Sequence, residues 1–341
     1  MTFSENDIRP KKFDDGKLKA IQADIDWLTE KKPWFVSVDC PACAGKHYHP
    51  AFEKFGFNFD RCNKCRTVFM NPRPSEAVLG DFYTLSEVYK YWDTHIFPAS
   101  REVRREKIFR PRLVKILELC KRLNISTETL VDVGSASGMF CQEALESQEF
   151  KRVIGIEPSF SQAETCRNHG IEVVNKPVEA VSHLKRRADV VTCFETIEHV
   201  FNPGKFIDWC TRLLVPGGML VLTCPNYEGF DILTLGVKSD SLDAEHINLF
   251  NPDSIVLMIE KHGLTVMECE TPGQLDAEIV RNKALSNEID LKNQPFLNKL
   301  LVMEWEKHRH DFQEYLKSSL MSSHMWVVAR NSIPNSSEHD V

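Results

Sequence analysis

The rhythm of apolar and polar positions changes twice along the chain, and those changes divide it. Over residues 17–31, Leu18, Ile21, Ile25 and Leu28 recur at three- and four-residue intervals, the spacing of one helix face. Residues 33–74 lose that period and are crowded with Cys, Phe and Pro, which predicts a compact irregular module. Asn71-Pro-Arg-Pro-Ser75 predicts a stiff exit from it, because each proline fixes its own backbone and biases its predecessor to extended forms. Residues 76–125 read as helical, ending near Asn124. From Thr129 onward short apolar runs alternate with helix-length amphipathic stretches such as 206–214. The runs are Leu130-Val-Asp-Val133, Val153-Ile-Gly-Ile156, Ile171-Glu-Val-Val174, Ala188-Asp-Val-Val-Thr-Cys193 and Met219-Leu-Val-Leu-Thr-Cys224. Leu264-Thr-Val-Met267 and Met325-Trp-Val-Val-Ala329 are later strand candidates. This alternation predicts an α/β fold with a parallel sheet covered on both faces. The expected segments are an N-terminal helical segment (1–32), the Cys-rich module (33–74), a helical linker (75–125) and the main domain (126–330), which carries a polar helix-prone insertion at 271–320. The tail, 331–341, is polar and expected to be disordered.

Composition narrows the class. The 341 residues are 42% hydrophobic and 27% charged, ordinary for a soluble globular protein. The longest apolar runs are strand-sized, so no membrane span is expected. The polar, acidic N-terminus lacks an apolar signal core, which gives a cytoplasmic expectation. A net charge of −7 and a pI near 6.0 disfavour a general nucleic-acid binder. The 11 cysteines are odd in number, which argues against a disulfide framework. Seven are scattered through predicted strands and helices, where free Cys acts as a small buried hydrophobe.

The other four form two C-x-x-C pairs, Cys40-Pro-Ala-Cys43 and Cys62-Asn-Lys-Cys65, with 18 residues between them. Two tight turns that each aim two thiolates at one point suit a tetrahedral zinc ion. Four thiolates leave no open position for water, so a structural zinc is expected. His47 and His49 could replace a sulfur or simply be solvated. Phe52, Phe55, Phe57 and Phe59 are expected to pack the back of a module too small to fold without metal.

In Leu130-Val-Asp-Val-Gly-Ser-Ala-Ser-Gly-Met139 a strand turns through Gly134 and Gly138 into a helix. Glycines there permit positive φ and close approach of a ligand to the backbone. Glu157 follows Gly138 by 19 residues, at the end of the next strand, where a carboxylate can accept from both hydroxyls of a ribose. A dinucleotide dehydrogenase would want glycines at positions 1, 3 and 6 of the loop. Gly134, Ala136 and Met139 stand there instead.

Taken together, residues 129–329 resemble the class I, Rossmann-like S-adenosylmethionine-dependent methyltransferases. Asp132-Val-Gly-Ser-Ala-Ser-Gly138 is similar to their glycine-rich first motif, and Glu157-Pro158 to the acidic ribose-binding position. Phe194-Glu-Thr-Ile-Glu-His-Val200 resembles the motif after the fourth strand of ubiquinone-biosynthesis-type O-methyltransferases. Leu214-Val-Pro-Gly-Gly-Met219 resembles the turn into strand 5. The resemblance implies a seven-stranded sheet with an antiparallel last strand. It assigns Asp132, Gly134, Ala136, Gly138, Glu157, Pro158 and Phe194 to S-adenosylmethionine, with residues 176–179 near the adenine. Ala136 departs from the family's middle glycine. The Cys-rich module, Thr271-Pro-Gly-Gln-Leu-Asp276 and His324-Met-Trp-Val-Val328 also resemble methyltransferases of surface-polysaccharide and deoxysugar pathways.

On the acceptor side, Glu195, Glu198 and His199 are spaced i, i+3 and i+4, so a helical turn would project them together. The pattern resembles a divalent-metal site of the ubiquinone-type and small-RNA 2′-O-methyltransferases, which add a later histidine; His246 is the candidate here. Such a set would hold Mg²⁺ or another divalent ion and lower a hydroxyl pKa. Without metal, His199 or His246 could be the general base, or both could be packing residues. Tyr227, Phe230 and Phe250 could stack on a ligand or be core. The expected function is O-methylation of a hydroxyl on a sugar, polysaccharide-linked or other small acceptor. C-methylation of a keto-deoxysugar nucleotide, RNA methylation and a non-catalytic binding module are the alternatives.

Overall fold

The computed structural model describes residues 3–331. All but Asn331 of the tail expected to be disordered lies outside them, and Asn331 ends the last strand. Helix α1, Asp14–Glu30, buries Ile25 and Leu28 against Phe57 and Phe59. Leu18 is 59% exposed and borders the central cavity.

Strands β1 (Tyr48–Lys54), β2 (Phe57–Cys62) and β3 (Val68–Met70) form an antiparallel sheet. Phe52 stacks on Phe59 with centroids 4.7 Å apart, and Phe57 and Phe59 are buried. Phe55 does not join them. It occupies the β1–β2 hairpin turn at φ +56° and is 40% exposed, because the tight turn spends its backbone on reversal and aims its side chain at solvent. The module is not a separate appendage. The short strand Asn248–Leu249, from the main domain, pairs with β3 (Asn248 with Phe69, Leu249 with Val68).

The region expected to be a linker is instead a wall of the cavity. Helix α2, Glu76–Leu85, starts where Ser75 Oγ accepts from the Val78 N–H, and it buries Val78, Leu79 and Phe82. Its Tyr83 and the downstream Tyr89 and Trp92 line the cavity. Helical turns continue to helix α3, Arg110–Leu123, which stops on left-handed Asn124.

The main sheet contains β4 (Thr129–Val133), β5 (Arg152–Ile156), β6 (Glu172–Val174), β7 (Ala188–Phe194), β8 (Leu214–Pro225), β9 (Leu264–Glu270) and β10 (His324–Asn331). Their order is β9-β10-β8-β7-β4-β5-β6. β10 runs antiparallel to both β8 and β9, and the remaining pairings are parallel. This is the seven-stranded arrangement with an antiparallel last strand that the family resemblance implies. All seven residues of β7 are buried, so apolar residues occupy both faces of the strand, and its buried polar pair is hydrogen-bonded, Asp189 accepting from the Thr129 N–H and Thr192 donating to Asp132. Helices α4 (Met139–Ser147) and α5 (Pro203–Leu213) flank the sheet. The 271–320 insertion forms helices α6 (Asp276–Leu285) and α7 (Trp305–Ser318), packed with Phe230 in a cluster of their own.

Candidate active site

One continuous cavity of about 1330 Å³ opens where β4, β5, β7 and β8 end. In an open α/β sheet this C-terminal crevice is where ligands bind. The glycine loop forms one end. Gly134 (φ +77°) and Gly138 (φ +75°) take the left-handed region, and so does Ala136 (φ +47°). A side chain at Gly134 would meet Thr196 Oγ1 at 2.4 Å, so the loop lies directly against the turn after β7. Gly134, Ala136, Glu157 and Pro158 line the cavity, as do Pro177, Val178 and Glu179 of the stretch expected near the adenine.

Glu157 is 5% exposed. Its Oε2 accepts from the Ala136 N–H (2.9 Å) and its Oε1 from the Ser159 N–H (2.8 Å). Burial pushes its carboxyl up to about 7 even so. Asp132 lies beneath the loop, where it accepts from Thr192 Oγ1 (2.6 Å) and Cys141 Sγ (3.5 Å); burial raises it to about 6. Gly138 packs toward Ile171 and Cys166. Phe194 points into the core, edge-on to Phe140 at 4.8 Å and stacked on Trp326 at 6.2 Å. The side chains of Asp132 and Phe194 therefore support the cavity floor and do not line it.

Glu198, His199 and His246 meet at the other end. One ligand atom of each lies within 4.8 Å of the others. The imidazole centroids are 4.7 Å apart. His199 Nδ1 faces Glu245 O at 3.2 Å and His246 Nδ1 faces Ser241 O at 2.9 Å. A carbonyl can only accept, so each Nδ1 carries the proton and each Nε2 is left for another partner. Glu198 is 1% exposed, and neither of its oxygens has a hydrogen-bond partner among the described residues. Burial, with the Glu195 charge, drives its carboxyl well up. Burial and the neighbouring His246 push His199 well down. Burial opposes protonation of His246, but Asp243, Glu198 and Glu245 outweigh it and raise that imidazole to about 9. An orphaned buried carboxylate beside two outward-free imidazoles is a donor set that fits a divalent cation.

Glu195 is not part of this set. The chain leaves β7 through Glu195 at φ +49° and turns at Ile197–His199 without forming a helix, so the i, i+3, i+4 spacing no longer means one face. Glu195 instead accepts from Thr223 Oγ1 (2.5 Å) and lies 3.5 Å from both Arg112 and His324. Arg112 and His324 line the cavity; no motif marks Arg112 in the sequence, and the His324-Met-Trp-Val-Val328 segment gives His324 no role at the site. Asp231, 3% exposed and with Oδ1 unpartnered among the described residues, is another residue on the cavity wall that no motif marks. Tyr227, Phe230 and Phe250 belong to the core clusters.

The cysteine pairs converge. Cys40 Sγ lies 3.4 Å from Cys65 Sγ, and Cys43 Sγ lies 3.5 Å from Cys62 Sγ. These are too far for a disulfide, about 2.05 Å, and near the roughly 3.8 Å separating two thiolates 2.3 Å from a tetrahedral ion. Each pair sits on a matching turn. Ala44 N–H donates to Cys40 O (2.8 Å) and Arg66 N–H to Cys62 O (3.0 Å), with Ala44 and Arg66 both left-handed. His47 and His49 stand outside the tetrad, and His49 bonds Asn63.

The sheet order and the glycine loop with its spaced acidic partner define a class I S-adenosylmethionine-dependent methyltransferase domain. Residues 103–269 match a family model described as a methyltransferase domain. The chain is 26% identical over 157 residues to a ubiquinone biosynthesis O-methyltransferase of Nitrobacter winogradskyi, covering 41% of the chain but only 57% of that relative. It is 24% identical over 212 residues to the Coxiella burnetii protein of the same name, covering 58% of the chain and 86% of the relative. Among solved structures it is similar to Haemonchus contortus phosphoethanolamine N-methyltransferase 2 in complex with S-adenosyl-L-methionine. That match has a TM-score of 0.46 and 18% identity, and covers 78% of this chain and 62% of the other. Among the described residues no helix is long and apolar enough to cross a membrane.

Proposed function

We propose that the protein transfers the methyl group of S-adenosylmethionine to a hydroxyl oxygen of a small acceptor, with a divalent cation held by Glu198, His199 and His246. The observation that carries this reading is the Glu198 carboxylate, unpartnered among the described residues and clustered with two imidazoles, in the same cavity as the glycine loop. A divalent ion bound there supplies Lewis acidity that lowers the pKa of a coordinated hydroxyl. The chain's own residues do the rest. Glu157 accepts from the ribose hydroxyls, Gly134 and Ala136 bring backbone against the methionine portion, and Arg112 offers a cation at the cavity wall. The acceptor oxygen forms a bond to the methyl carbon as the carbon–sulfur bond breaks. S-adenosylhomocysteine leaves as a neutral thioether, and the hydroxyl proton departs to solvent or a nearby base. Alignment of donor and acceptor is worth about 7–11 kcal/mol in reactions of this type. The depressed pKa of His199 favours a second reading, in which its neutral Nε2 takes the hydroxyl proton without metal.

A hydroxyl-bearing ring, of carbohydrate type, suits the acceptor end. Asp231 and Glu245 offer carboxylate oxygens, unpartnered among the described residues, to O–H donors, and Trp92 and Tyr83 add aromatic rings to the cavity lining. Cys40, Cys43, Cys62 and Cys65 would hold a structural zinc. The test is methyl transfer by metal-depleted protein with and without added Mg²⁺ or Mn²⁺. Restoration by the ion supports the metal reading, and undiminished transfer without it supports His199 as base.

A further inference from the structure

Arg73 has no solvent exposure, and no carboxylate is among its hydrogen-bond partners. Its Nε donates to Met70 O (3.2 Å). Its Nη1 donates to Phe201 O (3.2 Å) and to Asn248 Oδ1 (2.9 Å), and its Nη2 to Ile247 O (3.2 Å). A buried cation without an acid partner is costly unless its donors are fully used. Here they join three separate pieces of chain: the end of β3, the segment after His246, and the segment after His199.

Asn248 completes the junction. Its main-chain N–H donates to Glu198 O (3.0 Å), and its Nδ2 to Glu198 O (3.2 Å) and Val200 O (2.8 Å). Asn248 is itself fully buried and begins the strand that pairs with β3. The Met70 N–H donates to Ile247 O (3.0 Å), and the Tyr83 hydroxyl donates to His199 O. His246 and the Glu198–His199 turn are thus set against each other through hydrogen bonds that start in the cysteine module.

We propose that Arg73 is a positioning residue for the Glu198–His199–His246 triad: acting through Asn248, it fixes the distance between His246 and the Glu198–His199 turn and makes the cysteine module part of the divalent-cation site. This rests on the reading of the triad as such a site. A merely structural arginine would change stability but leave the affinity of the triad alone. A positioning arginine changes metal affinity in a protein that still folds, because ligand atoms held in place are what a small cation selects.

The experiment is Mn²⁺ binding, followed by electron paramagnetic resonance, to full-length wild type and to Arg73→Gln, Arg73→Lys and Asn248→Ala. Arg73→Gln and Asn248→Ala are expected to bind Mn²⁺ at least tenfold more weakly while keeping the wild type's zinc content and S-adenosylmethionine affinity. Arg73→Lys is expected to recover part of the loss. If Arg73→Gln does not fold, Asn248→Ala decides alone. Wild-type Mn²⁺ affinity in the folded variants overturns the inference and leaves the triad reading standing. A wild type that takes up no Mn²⁺ overturns both.

Discussion

His199 and His246 come from separate segments, yet their rings stand 4.7 Å apart and both turn Nδ1 to main-chain carbonyls. That shared orientation fixes the tautomers and leaves both Nε2 atoms free, that of His199 4.0 Å from Oε1 of Glu198, a carboxylate unpartnered among the described residues. His246, raised to about 9 by its carboxylate neighbours, holds the proton that a cation would displace.

Glu198→Gln and His246→Ala should each lower methyl transfer by a hundredfold or more, with S-adenosylmethionine affinity within about threefold of wild type. Loss of one metal ligand removes acceptor activation and leaves the Glu157 and glycine-loop contacts to the cofactor in place. Steady-state kinetics beside calorimetric cofactor titration checks this. A Glu198→Gln protein with full activity would refute a ligand role.

Cofactor affinity should rise with pH. The Glu157 carboxyl sits near 7 in the free protein, above its usual value, so below that pH it is protonated and a poor acceptor for two ribose hydroxyls. Binding should therefore tighten by up to about tenfold between pH 6 and pH 8, and proton release should accompany it at pH 6. For the free protein the sign is opposite. The raised pKa contributes stability that is full below about 4.3, the unfolded value, and is lost as pH rises through 7. Calorimetry in buffers of different ionisation enthalpy measures the proton release, and Glu157→Gln should abolish the pH dependence.

Gly134→Ala should weaken cofactor binding at least tenfold and cost about 1–3 kcal/mol of stability. The left-handed backbone penalises a side chain, and the new Cβ meets Thr196 Oγ1 at 2.4 Å. Adding Thr196→Ala should relieve the clash and not the backbone strain, so only part of the loss returns. Thermal melts with and without cofactor separate the two.

Stripping the cysteine tetrad with a strong chelator should expose the amides of β1, β2, β3 and the Asn248–Leu249 strand to hydrogen exchange and lower the melting temperature. The module's own core is small, Phe57, Phe59 and their neighbours, while Phe69 and the cysteines pack into the core of the main sheet, so metal binding would supply part of its folding energy. Unchanged exchange in a protein shown to have lost zinc would contradict a structural role.

Much of this architecture is legible before any coordinates. The sheet announces itself because its central strands β4, β5, β7 and β8 are largely buried on both faces and rich in apolar residues, and the two C-x-x-C pairs and the Gly134–Gly138 loop carry their spacing locally. Glu195 misleads because equal spacing implies one face only on a helix, and the chain turns at φ +49° instead. Arg73, Asn248 and Arg112 are silent in the sequence. Arg73 and Asn248 work through hydrogen bonds to main-chain and amide oxygens, and all three reach partners far along the chain; no motif records such contacts. Phe55 shows the same limit at short range, since a turn's backbone geometry overrides an aromatic pattern.

The most direct test of metal-assisted O-methyl transfer is label transfer from S-adenosylmethionine into a fractionated extract of the source cells, using metal-depleted protein with and without Mg²⁺ or Mn²⁺. The account predicts label in a small hydroxylated or carbohydrate fraction, as a base-stable ether, appearing when the ion is restored and absent with Glu198→Gln. Label in an amine, a carbon-linked methyl or RNA, or no label from protein that binds the cofactor and the ion, would contradict it.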